Sequence, residues 1–212
     1  MLVVTLVLFA FTRSTAERIF HQHYQQKTDF FAHYAIRPGD RVFLGDSITD
    51  GARWDELFPD LPVKNRGING DTVSGVLQRL GEVLSGHPAA IFLLIGTNDL
   101  PWYMYHRDTA ILKSYETILE RCKAESPQTR VFVQSILPRH RRYAGRIKAL
   151  NARLEELAGR YGDTFIDLFP HFADLDGQIR ADYSNDQLHL LASGYAEWVG
   201  ILTPYLYHLT TS

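Results

Sequence analysis

The sequence predicts an α/β fold in which a parallel sheet is covered by helices on both faces. Two observations indicate this class. Five short runs are rich in apolar or strand-forming residues, the third of them apolar throughout as in a strand buried on both faces, and amphipathic helical patterns separate the runs along the chain. With 212 residues, 45% of them hydrophobic, the chain is long enough to bury a core without disulfides or a structural metal.

The predicted strands are short runs rich in strand-forming residues and bounded by glycine, proline or polar residues. In chain order they cover residues 41–47, 63–65, 89–96, 131–138 and 164–168. The fourth run is closed by Pro138, which cannot continue a buried strand. Five parallel strands are therefore expected.

Helices are predicted between the strands, where apolar residues recur with helical periodicity. The clearest begins near Val73, with Asp71 or Thr72 placed as its N-cap. Others are expected over residues 17–34, 108–124 and 147–157, and a last one runs from Ser193 toward Tyr207. No repeat or Pro/Gly/Ser-rich linker interrupts the sequence, so residues 17–212 are expected to form a single domain.

Residues 1–16 form a distinct segment ahead of this domain. Residues 2–11 read LVVTLVLFAF, in which only Thr5 is polar. The run has half the length needed to span a bilayer but matches the apolar part of a signal peptide, and Ala16 offers a cleavage point. We therefore favour export, to the periplasm or outside the cell, over a cytoplasmic location, although no basic residue precedes the run. The alternatives are a membrane anchor and an ordinary N-terminal strand or helix packed on the domain.

Charge and cysteine content exclude several classes of function. The 22 Lys and Arg residues against 24 Asp and Glu give a formal charge of −2, so there is no basic excess for nucleic-acid binding. The single cysteine, Cys122, rules out an intramolecular disulfide or a cysteine-rich zinc site. We expect Cys122 to be a small buried hydrophobic residue rather than a nucleophile. The lack of Gly-x-Gly-x-x-Gly and Walker A sequences argues against nucleotide or flavin binding.

Candidate catalytic residues follow the predicted strands, at the edge where parallel sheets bind ligands. Ser47 comes directly after the first strand, Gly70 after the second and Asn98 after the third. Ahead of the last helix, the three-residue spacing in Asp186-x-x-His189 lets a carboxylate hold an imidazole as a base. Each residue also has a simpler interpretation, as a helix cap for Ser47 and as turn residues for Gly70 and Asn98.

Four sequence blocks together resemble the SGNH hydrolases, also called GDSL-like esterases and lipases. The blocks are Gly45-Asp46-Ser47, Gly70, Gly96-Thr97-Asn98-Asp99 and Asp186-x-x-His189, in the family's order across residues 40–207. The stretches NRGINGDT and LHLLASGY look like the branch that contains platelet-activating-factor acetylhydrolase-like and carbohydrate acetylesterase-like proteins. The resemblance implies a flavodoxin-like three-layer α/β/α sandwich with a five-stranded parallel sheet.

The resemblance also implies a role for each residue of these blocks. Ser47 would be the nucleophile, His189 the general base and Asp186 the residue that orients it. The oxyanion hole would comprise the N–H groups of Ser47 and Gly70 and the side chain of Asn98. The implied chemistry needs no metal or other cofactor, and its partner is a small-molecule ester.

Two positions depart from the family pattern. Ile48 replaces the leucine that gave the family one of its names, and Gln187 stands where the branch often has glycine. The Gln187 side chain either narrows the mouth of the site or points to solvent. Neither change removes a catalytic atom.

Large side chains near the four blocks are candidates for the wall of the substrate pocket: Trp54, Trp102, Tyr103 and Tyr105. They suggest a tight pocket for a short acyl group, and packing onto the core is the alternative. Arg139 is a further pocket candidate and begins the basic run 139–142. For this run we favour a solvated helix start over contact with an anionic substrate.

The expected function is hydrolysis of short-chain acyl esters, acetyl esters above all, with esters of carbohydrates among the candidate substrates. The alternatives are lysophospholipase- or thioesterase-type hydrolysis of lipid acyl groups, and a non-catalytic carbohydrate-binding domain on the same fold. The last would require Ser47, Asn98 or His189 to be missing, and all three are present. The sequence does not indicate an oligomeric state.

Overall fold

The structure is a computed structural model that describes residues 2–101 and 106–210. Its strands are β1 (Arg41–Gly45), β2 (Val63–Gly67), β3 (Ala90–Leu94), β4 (Arg130–Gln134) and β5 (Thr164–Ile166). They form one parallel sheet in the order β2-β1-β3-β4-β5. All five predicted strands are confirmed. The prediction for β4 runs too far because the apolar residues Ile136 and Leu137 are buried in the loop that follows the strand.

The helices are α1 (Leu2–His33), α2 (Ser47–Asp50), α3 (Trp54–Leu57), α4 (Val73–Leu84), α5 (Asp108–Glu125), α6 (Ala144–Tyr161), α7 (Phe169–Phe172) and α8 (Ala192–Tyr207). The predicted helices correspond to α1, α4, α5, α6 and α8. A helix start was expected only through Ser47 as a possible cap, and the one-turn helices α3 and α7 were not predicted, because four residues are too few to show a helical period. Thr72 caps α4 by accepting a hydrogen bond from the Gly75 N–H.

One face of the sheet carries a row of aromatic rings. The strand register aligns Phe43, Phe92 and Phe132 side by side, with ring centroids 5.2 and 4.6 Å apart. Trp198 of α8 and Trp54 of α3 pack on this row and are fully buried. Because aromatic rings bury large areas, this layer contributes much of the hydrophobic stabilisation.

The opposite face carries aliphatic residues of the strands, which pack against α4, α5 and α6. Helices therefore cover both faces, and the predicted three-layer α/β/α sandwich is confirmed. Because β1 leads to β2 on one side of the sheet and β3 leads to β4 on the other, the chain leaves β1 and β3 in opposite directions. A parallel sheet binds its ligands in the crevice that such a reversal opens at the carboxyl ends of the strands.

Helix α1 continues without a break through the predicted boundary at residue 16. Its C-terminal part is anchored to the domain. Phe31 is buried with the Arg66 guanidinium 4.5 Å from its ring centroid, and Lys27 forms an ion pair with Asp50. Within the described ranges, none of the helices combines the length and apolar character that crossing a bilayer requires. Export or anchoring through residues 1–16 remains a prediction.

Candidate active site

The turn after β1 presents Ser47 at the carboxyl edge of the sheet. Asp46 caps α2, because its Oδ1 accepts a hydrogen bond of 3.0 Å from the Ile48 N–H. Ser47 is therefore the first residue inside α2, and its hydroxyl is not used as the cap. The turn also requires Gly45, where a Cβ atom would lie 2.2 Å from the Leu94 carbonyl oxygen. The alternative of Ser47 as a helix cap is wrong.

Ser47, His189 and Asp186 form one hydrogen-bonded chain. The Ser47 hydroxyl lies 3.0 Å from His189 Nε2, and His189 Nδ1 lies 2.6 Å from Asp186 Oδ2. An ionised carboxylate only accepts hydrogen bonds, so Nδ1 carries the proton and Nε2 is left as a base toward the serine. The structure thus brings together two residues that are separated by 142 positions.

The loop before α8 fixes Asp186 as an ionised partner. Its Oδ1 accepts hydrogen bonds from the N–H groups of Leu188 (2.9 Å) and His189 (2.8 Å) and from the Ser184 hydroxyl (3.2 Å). Partial burial opposes ionisation, but the bonds from His189 and Leu188 outweigh it and lower the pKa of Asp186 to about 2. Asp186 is therefore charged throughout the neutral range. Ser184 is buried and its hydroxyl stabilises this loop, a role that no sequence motif indicates.

Gly70 and Asn98 face one cavity from two neighbouring loops. Gly70 has a φ of +76°, a left-handed conformation that suits glycine. The Asn98 Nδ2 atom donates one hydrogen bond of 2.9 Å to the Asp71 carbonyl oxygen. That bond holds the amide against the Gly70 loop and leaves its second N–H for a ligand.

Buried charges behind the site connect its loops. Arg79 of α4 donates from Nε to Asp71 Oδ2 (2.8 Å) and from Nη2 to the Gly45 carbonyl oxygen (3.0 Å), tying the Gly70 loop to the end of β1. Asp46 is fully buried, and burial raises its pKa to about 7 despite the hydrogen bond from the Ile48 N–H. Neither the role of Arg79 nor the burial of Asp46 is predictable from the sequence; the one indication is that Arg79 lies within the apolar pattern of α4.

The Gly-Thr-Asn-Asp turn is held by side chains on both sides. Asp99 accepts a hydrogen bond from the Val73 N–H (3.1 Å), and its Oδ1 lies at hydrogen-bond distance from His106 Nδ1 (2.8 Å). Arg139 Nη1 donates to the Thr97 carbonyl oxygen (2.9 Å). The contacts of Arg139 thus position the turn that carries Asn98, and its predicted role as a pocket residue remains a prediction.

The structure places the other proposed pocket residues as follows. Trp54 was predicted to wall the pocket, and this is wrong: its side chain is 1% exposed, and its ring stacks 3.6 Å from that of Phe43 in the core. Its Nε1–H is satisfied by the Thr49 carbonyl oxygen. Trp102, Tyr103 and Tyr105 lie outside the described residues. Arg141 and Arg142 are exposed at the start of a short 3₁₀ helix, as favoured for this basic run.

Cys122 is not a rival nucleophile. It lies on the inner face of α5 with 2% of its surface exposed, and burial raises the pKa of its thiol to about 12. A thiol in this environment stays protonated and unreactive near neutral pH. Its prediction as a buried hydrophobic residue is confirmed.

An open cavity of about 660 Å³ extends from Gly70 and Asn98 toward α1. Phe20, His21 and Tyr24 of α1 form one side, and residues at the start of α4 form another. That α1 reaches the site is not predictable from the sequence. The pattern around Phe20 and Tyr24 predicts a helix, but helical periodicity does not indicate which surface the helix covers.

A parallel α/β sandwich with a Ser-His-Asp chain at the carboxyl edge of its sheet has the architecture of a serine ester hydrolase. Comparison with known families agrees: the model of the GDSL-like lipase/acylhydrolase family matches residues 43–197. The chain belongs to this family and is a hydrolase that acts on esters.

Individual relatives support the same placement. The bovine platelet-activating factor acetylhydrolase IB subunit alpha1 is 33% identical over 183 residues, which cover 80% of this chain and 76% of the relative. A solved structure from Streptococcus pneumonia, named as a platelet activating factor, superposes with a TM-score of 0.84 at 28% identity, covering 93% of this chain and 99% of the other. A GDSL-like lipase from Bacteroides thetaiotaomicron has a TM-score of 0.77 at 22% identity, covering 87% of this chain and 97% of the other, and shows the shared fold alone.

Proposed function

We propose that the protein is a serine esterase that hydrolyses short-chain acyl esters, with acetyl as the preferred acyl group, through an acyl-enzyme on Ser47. The observation that carries the proposal is the hydrogen-bonded chain from Ser47 through His189 to Asp186. Only a polarised serine hydroxyl beside a correctly oriented imidazole base is needed to start acyl transfer. The preference for acetyl is supported by the acetylhydrolase activity that the bovine relative's name states.

The first step forms the acyl-enzyme. Ser47 Oγ attacks the ester carbonyl carbon while its proton passes to His189 Nε2, and the carbonyl oxygen becomes an oxyanion. The oxyanion accepts hydrogen bonds from the N–H groups of Ser47 and Gly70 and from the Asn98 amide. The intermediate then collapses, the C–O bond to the alcohol breaks, and the alcohol leaves with the proton from His189.

The second step releases the acid. His189 takes a proton from water, the resulting hydroxide equivalent attacks the acyl carbon, and the bond to Ser47 Oγ breaks as His189 returns the proton to the serine. Asp186 remains a carboxylate throughout and stabilises the imidazolium that forms twice in each cycle. Removal of one oxyanion donor of this kind typically lowers kcat by a factor of about 10²–10³.

Substitution of the nucleophile tests the proposal directly. We expect Ser47→Ala to lower kcat for p-nitrophenyl acetate by at least about a thousandfold while the protein stays folded, because the acyl-enzyme cannot form. Ser85→Ala is the matched control, since Ser85 is exposed at the C-terminal end of α4. A Ser47→Ala variant that retains more than about a tenth of wild-type turnover would show that the assignment is wrong.

A series of p-nitrophenyl esters from two to twelve acyl carbons tests the preference for short chains. We expect kcat/KM to be highest for acetate or propionate and to fall steadily beyond four carbons. A maximum at eight carbons or more would replace the proposal with the lipid acyl hydrolase. A serine-directed organophosphonate should abolish the activity and label the tryptic peptide that contains Ser47, as detected by mass spectrometry.

A further inference from the structure

The cavity beside the oxyanion residues is too large for the acyl group of an acetyl ester. It measures about 660 Å³ and opens at Gly70 and Asn98, within the size range of sites that enclose an entire small-molecule ligand. An acetyl group adds a single methyl to the reacting carbonyl and would leave almost all of this space empty. The remainder of an acetyl ester is its alcohol.

Helix α1 holds an aromatic ring over the oxyanion loop. The Phe20 ring atoms Cδ1 and Cε1 lie 3.9 Å from the point that a Cβ atom on Gly70 would occupy, so the ring covers this glycine at contact distance. Phe20 is also 59% exposed, so much of its ring is accessible to a ligand. Its free ring surface lines the cavity.

The position of this ring is set by contacts further along α1. Phe31 is 3% exposed, and Arg66, whose guanidinium lies over that ring, donates a 2.6 Å hydrogen bond to the Tyr34 carbonyl oxygen. The ion pair of Lys27 with Asp50 fixes the helix to the segment that follows Ser47. The helix is therefore docked by its C-terminal half, and the turn that carries Phe20 extends along α4 toward the site.

Hydrogen-bonding groups surround the ring. Asn69, Thr72, Ser74 and Gln78 line the cavity, and Asn69, Ser74 and Gln78 are exposed there. An aromatic face among neutral hydrogen-bonding side chains suits a ligand with an apolar ring face and a rim of hydroxyl groups. A sugar ring has this character.

The charges of the cavity favour a neutral alcohol. Among the described residues that line it, there is no lysine or arginine, and the carboxylate of Asp71 is already paired with Arg79. Recognition of a phosphate group normally uses arginine or lysine side chains or a row of backbone N–H groups. His21 is the one basic side chain among these lining residues, so a phosphate-containing alcohol would find neither lysine nor arginine along the described walls.

We propose that Phe20 of α1, with Tyr24 and Gln78, forms a subsite for the alcohol part of the substrate and selects esters of a neutral, polyhydroxylated alcohol such as a sugar. The proposal rests on the proposed function, because it assigns the leaving group of the same reaction. Phe20 acts here as a specificity-determining residue whose ring stacks on the alcohol while the acetyl group reacts at Ser47.

The test compares two acetyl esters that differ only in the alcohol. 6-O-Acetylglucose carries one acetyl group on a sugar ring whose other hydroxyl groups are free, whereas ethyl acetate has neither a ring nor a hydroxyl group. We expect Phe20→Ala to lower the ratio of kcat/KM for 6-O-acetylglucose to kcat/KM for ethyl acetate by tenfold or more, and Gln78→Ala to lower it about threefold. Phe30→Ala is the matched control, because Phe30 is an exposed phenylalanine of the same helix that does not line this cavity.

Several outcomes would overturn the subsite. One is an equal loss on both esters in Phe20→Ala, and another is the same change of ratio in Phe30→Ala. If Phe20→Ala instead changes the ratio of kcat/KM for ethyl hexanoate to kcat/KM for ethyl acetate, the cavity holds the acyl chain and the assignment to the alcohol is wrong. If the wild-type protein hydrolyses none of these esters, the proposed function is contradicted. Binding to the Ser47→Ala protein needs no turnover and therefore tests the subsite separately.

Binding to the Ser47→Ala protein tests the subsite without turnover. Calorimetric titration with xylotriose should show binding that Phe20→Ala weakens by about tenfold, whereas glycerophosphocholine, a zwitterionic phosphodiester, should bind at least tenfold more weakly than the sugar. The assignment of a neutral alcohol would be overturned if glycerophosphocholine bound more tightly than xylotriose, or if Phe20→Ala left the affinity for xylotriose unchanged.

Discussion

Gln187 lies between two residues of the Ser-His-Asp chain and has a φ of +64°. This left-handed conformation costs a residue with a Cβ atom about 1–2 kcal/mol relative to the right-handed helical region. Glycine avoids the cost, which gives a physical reason for its frequent use here in the branch that the sequence resembles. The Gln187 side chain is exposed, so the structure favours the solvent-facing alternative. The hydrogen bonds that Asp186 Oδ1 accepts from the N–H groups of Leu188 and His189 close this turn around Gln187 and hold it in place.

Asp46, next to the nucleophile, links stability to pH. Its Oδ2 has no hydrogen-bond partner among the described residues, and burial together with the nearby Asp71 and Asp99 raises its pKa to about 7. The folded protein therefore holds this proton more tightly than the unfolded chain, whose aspartates titrate near 4. The resulting stabilisation is present in full below about pH 4 and is lost as the pH rises through about 7.

We expect Asp46→Asn to remove this pH dependence, because the amide keeps the Oδ1 acceptor for α2 but does not ionise. The free energy of unfolding of the variant, relative to wild type, should rise by at most about 4 kcal/mol between pH 4.5 and pH 7.5. Urea denaturation at three pH values measures the difference, and Asp60→Asn, at an exposed position, is the control. Parallel stability curves for wild type and Asp46→Asn would contradict the assignment.

At the scale of elements, α1 lines the proposed substrate cavity, and its Phe20 lies close in sequence to the predicted cleavage point. Phe20 is four residues beyond Ala16. Cleavage there would place Phe20 in the first turn of the shortened helix, where backbone N–H groups lack partners and helices fray. The contacts of Lys27 and Phe31 lie more than two helical turns beyond residue 16, so cleavage there would leave them in place.

We expect removal of residues 1–16 to lower the selectivity for 6-O-acetylglucose over ethyl acetate by about threefold or more, while the Tm changes by only a few degrees. The reason is that fraying moves the Phe20 ring but leaves the anchored core intact. Steady-state kinetics and thermal denaturation of the two lengths of chain measure this. Identical selectivity in the full and shortened proteins would show that the first sixteen residues are not needed to hold the Phe20 ring in position.

The strands, the long helices and the three-layer arrangement were predictable from the sequence, because burial on both faces leaves runs of apolar residues that can be recognised one by one. The four blocks also located Ser47, Gly70, Asn98 and the Asp186–His189 loop. What the sequence did not predict depends on packing between distant segments. Trp54 is indistinguishable from a pocket aromatic until its ring is seen stacked on Phe43.

For the whole molecule, the position of β5 has a consequence for how the site is assembled. Ser47 follows β1, whereas Asp186 and His189 lie beyond β5, which is three strand spacings, or about 14 Å, away in the sheet. The loop after β5 must therefore return across the carboxyl edge. It is secured by α8, whose Trp198 is buried and donates a 2.7 Å hydrogen bond to Gln134 of β4.

During refolding from urea, we expect esterase activity to return in the same kinetic phase in which the amides of α8 become protected. Pulse-labelling hydrogen exchange, followed alongside hydrolysis of p-nitrophenyl acetate, measures both. Activity that appears before α8 is protected would show that the returning loop is held by other contacts.

If α8 holds the loop in place, Ser47, the proposed nucleophile, is synthesised early, but the nascent chain has no esterase activity until α8 has left the ribosome and docked. Activity would then begin only after synthesis of the domain is nearly complete, because His189, the proposed base of Ser47, is synthesised late and positioned by α8.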